Sequence, residues 1–181
     1  MAQTLNLDDI QVGETQDIII ESKLKIAGTD KNPVSATMVV WDPDQPTSGT
    51  ASAGSVSTLT DTARTEANDY WNGLPIEVTD ATDDHAEQSY ITDFVAATDT
   101  LSFGTLSFTV AAGDTYRILG KPVLGQAACT VSGNEMSRSV GPSDATARPR
   151  VLHGYLVATY SATDVQTCDF RVECVGNAPP E

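Results

Sequence analysis

Short runs of β-branched and aromatic residues recur along this chain, each closed off by Gly, Pro, Asn or Asp, and that pattern predicts strands almost throughout. Residues 17–26 (DIIIESKLKI) follow a Gly13-Glu14 turn, and residues 34–41 (VSATMVVW) lie between Asn32-Pro33 and Asp42-Pro43. Further strands are expected at 74–78, 90–95, 101–103, 106–110, 115–119, 123–131, 151–160 and 168–175, the last two joined by a turn at 161–164. Residues 42–68 are rich in Ser, Thr, Ala, Gly and Pro and offer little to bury. They read as a long surface excursion resting on a neighbouring subunit, with a weak strand at 56–59. Its one helix candidate is 61–67, with Asp61 as N-cap. Residues 132–149 form a polar Gly/Ser/Arg connection, and 176–181 a tail.

The expected fold is all-β. Strands from both ends, residues 1–69 and 120–181, suit an antiparallel β-sandwich of immunoglobulin type. The dense segment 70–119 suits an inserted small β-barrel or β-sheet module. Two independent tandem domains are the alternative. Residues 1–14 carry Leu5, Leu7, Ile10 and Val12 ahead of the first convincing strand, which suggests an arm lying along a neighbour in an assembly.

Charge narrows the partners. Twenty-five acidic residues against 10 basic give a formal net charge of −15. Such a field repels phosphate backbones and anionic membrane surfaces, so neither nucleic acid nor membrane is expected as a partner. It suits a soluble outward-facing coat, or equally an acidic protein from a salty habitat. The N-terminal residues lack the charge and apolar pattern of a signal peptide, and no run reaches the ~18 apolar residues of a membrane span, so cytoplasmic synthesis and assembly are expected. Cys129, Cys168 and Cys174 are an odd set without a disulfide framework. Six residues of extended strand put Cys168 and Cys174 ~20 Å apart, too far to bridge. Cys129 could pair with one of them under oxidation.

No phosphate-binding glycine loop, H-E-x-x-H, G-x-S-x-G or C-x-x-C motif occurs. S-x-x-K at Ser22–Lys25 would split its side chains between the two faces of a strand. His85 stands among Asp83, Asp84 and Glu87, yet without the ligand spacing of a calcium loop, so an exposed acidic turn is expected. His153 has no neighbouring partners for a relay. Asp42-Pro43-Asp44 is a turn signal before it is a cation site. Trp41, Tyr70 and Trp71 could serve an interface or complete a core. No catalytic, cofactor-binding or metal residue is assigned, and no enzymatic activity is expected.

Four pieces of the 70–119 segment stand in a suggestive order: Trp71-Asn72-Gly73, Ile91-Thr92-Asp93-Phe94, Leu101-Ser102-Phe103 and Ala112-Gly113-Asp114-Thr115-Tyr116-Arg117-Ile118. This resembles a β-rich unit that recurs in virion proteins of tailed bacteriophages, and it covers a quarter to a third of the chain. The flanks look like the immunoglobulin-type sandwiches that phages append to head and tail proteins, without the Cys…Trp…Cys pattern. The resemblance implies a structural virion protein, assembled in the host bacterial cytoplasm as a homo-oligomer against major capsid, neck or tail proteins of the same particle. Capsid decoration or cement, or a minor head or neck part, is the leading expectation. A tail or spike module binding host carbohydrate or receptor is the alternative.

Overall fold

The computed structural model describes residues 5–6, 10–11, 16–21, 25–26, 29–140 and 150–175. Strands β1 (Leu5–Asn6), β2 (Ile10–Gln11), β3 (Gln16–Glu21), β4 (Lys25–Ile26) and β5 (Thr29–Asp30) precede β6 (Ser35–Asp42). The middle holds β7 (Thr47–Thr50), β8 (Ala53–Gly54), β9 (Thr58–Thr60), β10 (Pro75–Thr79), β11 (Ala86–Val95), β12 (Thr100–Phe103) and β13 (Thr115–Ile118). Then come β14 (Lys121–Ala128), β15 (Thr130–Ser132), β16 (Glu135–Val140), β17 (Arg150–Ser161) and β18 (Asp164–Val175). The described residues contain no helix, and the fold is all-β. The chain divides into two compact units: residues 1–40 with 127–181, and residues 41–126.

The first unit is built from both ends of the chain. Its larger sheet runs β1-β18-β17-β6-β14, with β2 also on β18, and its smaller sheet runs β15-β16-β3. β17 and β18 form the long hairpin at its centre, turning at residues 162–163. Leu152, Leu156 and Ala158 of β17 face inward with Phe170 and Val172 of β18, as the two-residue period requires. Gly154 pairs with Phe170, whose Cζ lies 2.1 Å from where a β-carbon on Gly154 would sit, so only glycine lets the ring lie against β17. From the smaller sheet, Met136 and Val140 are buried, and the Arg138 guanidinium donates to the Met38 carbonyl at 2.6 Å. That bond ties β16 to β6 and joins the two sheets as the layers of a sandwich.

β1 and β2 lie parallel to β18, with Leu5 opposite Phe170 and Ile10 opposite Cys174. The expected arm is therefore, at these residues, an edge strand of the chain's own sheet. Residues 7–9 and 12–15 lie outside the described residues. The polar connection expected over 132–149 contains β16, which turns back from β15 through Gly133 at φ 60°.

The second unit is one sheet in the order β7-β13-β10-β11-β12-β9-β8. Its terminal strands, β7 and β8, are separated only by Ala51 and Ser52, so the two ends of the sheet are one bent segment and the sheet closes into a small barrel. The bend is pinned on both sides: Ala51 N–H donates to Asp114 O (2.8 Å), Gly113 N–H to Ala51 O (2.9 Å) and Ser52 N–H to Thr60 O (2.8 Å). One bent segment thus serves both ends of the sheet. β10, β12 and β13 alternate strictly, and Ile76, Val78, Leu101, Phe103, Tyr116 and Ile118 point inward. An irregularity between Ile91 and Asp93 bends β11, and Phe94 fills the core beyond it.

Four expectations change here. The central unit runs from Trp41 to Gln126, wider than 70–119, because β7 pairs with β13 and β9 with β12. Residues 42–68 thus add β7, β8 and β9 to the barrel, the last at the expected weak strand, with Ala51 and Leu59 buried. Residues 61–67 are not a helix. Asp61 closes a single turn, accepting from Ala63 N–H at 3.0 Å, while Arg64 N–H reaches Asp61 O at 3.0 Å. Residues 106–110 are not a strand either. Leu106 and Val110 are buried plugs on a loop, held by N–H bonds to Val56 O (2.7 Å) and Ser55 O (3.1 Å).

Candidate functional site

Two clusters of titratable side chains stand out, both in the barrel. The first grows from the β10–β11 turn. Asp80 accepts from Thr82 N–H at 2.7 Å and Asp83 from His85 N–H at 3.0 Å, while Asp84 adopts φ 58°, a left-handed conformation that Asp tolerates. These carboxylates build the turn by bonding to backbone. No group of three or more His, Cys, Asp or Glu side chains able to hold a metal occurs among the described residues.

At the start of β11, Glu87 is the hub. Its Oε1 lies 2.9 Å from His85 Nε2 and also accepts from the Ser107 hydroxyl, while Oε2 accepts from Ser107 N–H at 3.0 Å. The His85 ring meets Phe108 edge-on at 5.7 Å. The Ser107 hydroxyl first, then His85, then the Ser107 N–H hold the Glu87 carboxyl down at about 2. The hydrogen bond to Glu87 raises the His85 pKa. Serine, histidine and carboxylate are present, but the carboxylate sits between the other two. A nucleophilic triad needs the imidazole against the hydroxyl, with the acid behind it. A carboxylate this acidic is also a weak base. What the arrangement does is clasp the loop carrying Leu106 and Val110 to β11.

The second cluster is inside the barrel. The Tyr116 hydroxyl donates to Asp61 Oδ2 at 2.6 Å, Arg64 Nε lies 3.4 Å from the same oxygen, and the guanidinium stands 5.8 Å from the Tyr116 ring centroid. Burial, then the Asp61 bond, pushes the Tyr116 hydroxyl far above its ordinary pKa, so it remains a donor. Gly49 lies against this pair; a β-carbon there would sit 2.5 Å from both Asp61 Oδ2 and Tyr116 Oη. Two residues from Tyr116, buried Asp114 accepts from Ala81 N–H (2.9 Å) and Ala111 N–H (2.8 Å). Tyr116 and Ala63 N–H bond to Asp61, and Asp114 bonds to backbone N–H groups, so these carboxylates act as braces, while Arg64 Nε stays buried without a hydrogen bond.

The remaining candidates disperse. Trp41 and Trp71 are both buried, with Tyr70 packed edge-on to Trp71 at 4.7 Å, so the tryptophans complete cores instead of forming a surface. Asp42 is buried and accepts from Asp44 N–H (3.0 Å) and Gln45 Nε2 (2.5 Å), as a turn. His153 sits opposite Arg171 in the β17–β18 ladder. Lys25 falls in β4, while Ser22 lies outside the described residues. Cys129 and Cys168 are half-buried, and burial raises the pKa of both thiols. Cys168 and Cys174 lie on the single extended strand β18, opposite Leu156 and Arg150, as the spacing argument required. The Glu87–Ser107 clasp could not be anticipated, because its partners are 20 residues apart, separated by most of β11 and all of β12.

No family model matches this chain, and neither does any curated protein. Among solved structures it is similar to a family 123 glycoside hydrolase from Clostridium perfringens, studied for glycolipid glycan hydrolysis, at 12% identity and a TM-score of 0.28. The match covers 98% of this chain and 24% of that one, so the chain spans about a quarter of the enzyme's length. A likeness this slight carries no argument about fold or activity.

Proposed function

We propose that this chain is a non-enzymatic structural component of a tailed-phage virion, an auxiliary capsid protein or a minor head or neck protein that stabilises the particle through subunit contacts. The observation behind the reading is that every piece of the phage-type pattern has a mechanical task in one closed barrel. Gly73 supplies the left-handed turn (φ 82°) into β10, and Gly113 (φ 102°) the turn before β13. Ile91 and Phe94 fill the core from β11, Leu101 and Phe103 from β12, while Asp114 and Tyr116 brace the loops. Such a module offers a rigid body, suited to repeated modest contacts multiplied over a lattice.

We also read the first unit as an immunoglobulin-type sandwich. Lettering β3, β6, β14, β15, β16, β17 and β18 as B, C, C′, D, E, F and G reproduces the G-F-C-C′ and D-E-B sheet orders of that fold, with the barrel inserted between C and C′. The alternative, a carbohydrate- or receptor-binding module, relied on an exposed aromatic cluster, and burial of both tryptophans weighs against it.

The test is addition of purified protein to particles from which it has been stripped or deleted. Saturable binding and resistance of the loaded particles to heat or dilution are expected. Absence of the protein from purified virions, or of binding to deficient ones, would remove the reading.

A further inference from the structure

The turn that leads into β10 holds the chain's one Asn-Gly pair, Asn72-Gly73. Asparagine loses its side-chain amide most readily before glycine, because a residue without a side chain lets its own nitrogen approach the preceding one. The Gly73 nitrogen attacks Cγ of Asn72, an N–Cγ bond forms and closes a five-membered succinimide, and Nδ2 leaves as ammonia with the proton that the Gly73 nitrogen gives up. Water then opens the ring at one carbonyl or the other. The products are aspartate and its β-linked isomer, which has one more carbon in the backbone.

In the closed barrel every participant in that reaction is held back. Gly73 N–H, the nucleophile, donates to Ile91 O at 2.7 Å, with Gly73 fixed at φ 82°. The leaving group is tied as well, since Asn72 Nδ2 donates to Asp69 Oδ1 at 2.9 Å. Asn72 is only 9% exposed, and its Oδ1, where negative charge develops during the attack, is buried without a hydrogen-bond donor among the described residues. The backbone keeps these atoms in place: Asp69 N–H reaches Phe94 O at 2.9 Å, Asn72 N–H reaches Asp69 O at 3.1 Å, and Leu74 N–H reaches Trp71 O at 3.1 Å.

We propose that Asn72-Gly73 is a masked modification site: the closed barrel protects it, opening of the 69–74 turn releases it to form the succinimide, and the product then hinders reclosure. Aspartate at position 72 replaces the donor that faces Asp69 with a second carboxylate, so a hydrogen bond becomes a like-charge contact at a nearly buried position. The β-linked isomer places its extra carbon between Asn72 and Gly73, within the turn that the Gly73 and Leu74 N–H bonds close. An opening that lasts long enough therefore becomes permanent. The effect belongs to the barrel and holds whatever the chain assembles with.

The full chain is held in mildly alkaline, reducing buffer, folded in one sample and urea-unfolded in another, and residue 72 is followed by peptide mapping for the amide-to-acid mass gain and the β-linked isomer. Conversion in the folded sample should be at least about tenfold slower, the factor that about 1.4 kcal/mol of opening free energy imposes. The unfolded sample is then diluted out of urea and its refolded and unfolded fractions are separated by size. Chains converted at residue 72 should be depleted from the refolded fraction and enriched in the other, a comparison that needs no variant. Asn72→Asp should weaken closure of the barrel at least about tenfold, and combining it with Asp69→Asn, which exchanges carboxylate and amide, should recover most of the loss; asparagine tolerates the φ of 64° at position 69. Equal rates in the two samples, no conversion at residue 72 in unfolded chains, converted chains that refold as fully as unconverted ones, or a double exchange no better than Asn72→Asp each overturns the proposal.

Discussion

The two units differ in how they use acidic side chains. The barrel, residues 41–126, carries 13 acidic and 3 basic residues, a net −10; the sandwich carries 12 and 7, a net −5, which together make the −15 of the chain. All four buried polar residues among those described, Asp42, Asp61, Asn72 and Asp114, belong to the barrel. So do the three non-glycine residues with positive φ, Asp69, Asp84 and Asp99. Short strands need many turns, and aspartate is the side chain that closes turns on its own backbone. Much of the barrel's acidity is therefore structural. The sandwich has no buried polar residue of this kind among those described, and its centre is the pair of 12-residue strands β17 and β18. Net charge alone said only that the molecule is acidic; its distribution shows that the barrel carries two thirds of the excess.

The sharpest way to break that contrast is to damage one core at a time. Phe170→Ala and Phe94→Ala should each cost about 3–5 kcal/mol. Amide exchange read peptide by peptide should show loss confined to β17 and β18 in the first and to the barrel in the second. Simultaneous loss in both would mean the units fold as one and the comparison is not physical. Gly154→Ala follows at about 3 kcal/mol, because the new methyl must displace the Phe170 ring; denaturant melts of wild type and variant measure it. Tyr116→Phe should cost roughly 2 kcal/mol, by leaving Asp61 buried with less support, and should loosen β7 and β13 while sparing the sandwich.

A smaller effect depends on pH. Glu87 has a lowered pKa in the fold, so its contribution to stability is present above the ordinary carboxyl value of 4.5 and is lost as pH falls from there toward about 2. His85 runs the other way: raised in the fold, it contributes below 6.5 and loses that contribution as pH rises through its folded value. The difference in melting temperature between wild type and Glu87→Gln should therefore narrow as pH drops below 4.5. A difference that stays constant down to pH 2 would deny the clasp. Least perturbing is thiol mapping: under non-reducing digestion Cys168 and Cys174 should be recovered unbridged, since a bridge would require β18 to bend between them.

Local chemistry in the sequence carried a good deal of this. Alternation at β10, β12 and β13, the turn at 162–163 and the absence of helical period fix an all-β fold, because period and turn residues act over a few positions. Residues 42–68 show the limit. Ser, Thr, Ala and Gly look like loop when judged by burial potential, yet Gly49 and Ala51 are small because they bend around Tyr116 and Asp114, more than 60 residues further on. Leu106 and Val110 have strand chemistry but plug the barrel from a loop. In both cases long-range partners override local preference. Sequence alone thus determined the class of structure and the acidity. Tertiary structure decided which carboxylates are braces and that both tryptophans are core, since each of these depends on residues distant in the chain becoming neighbours in space.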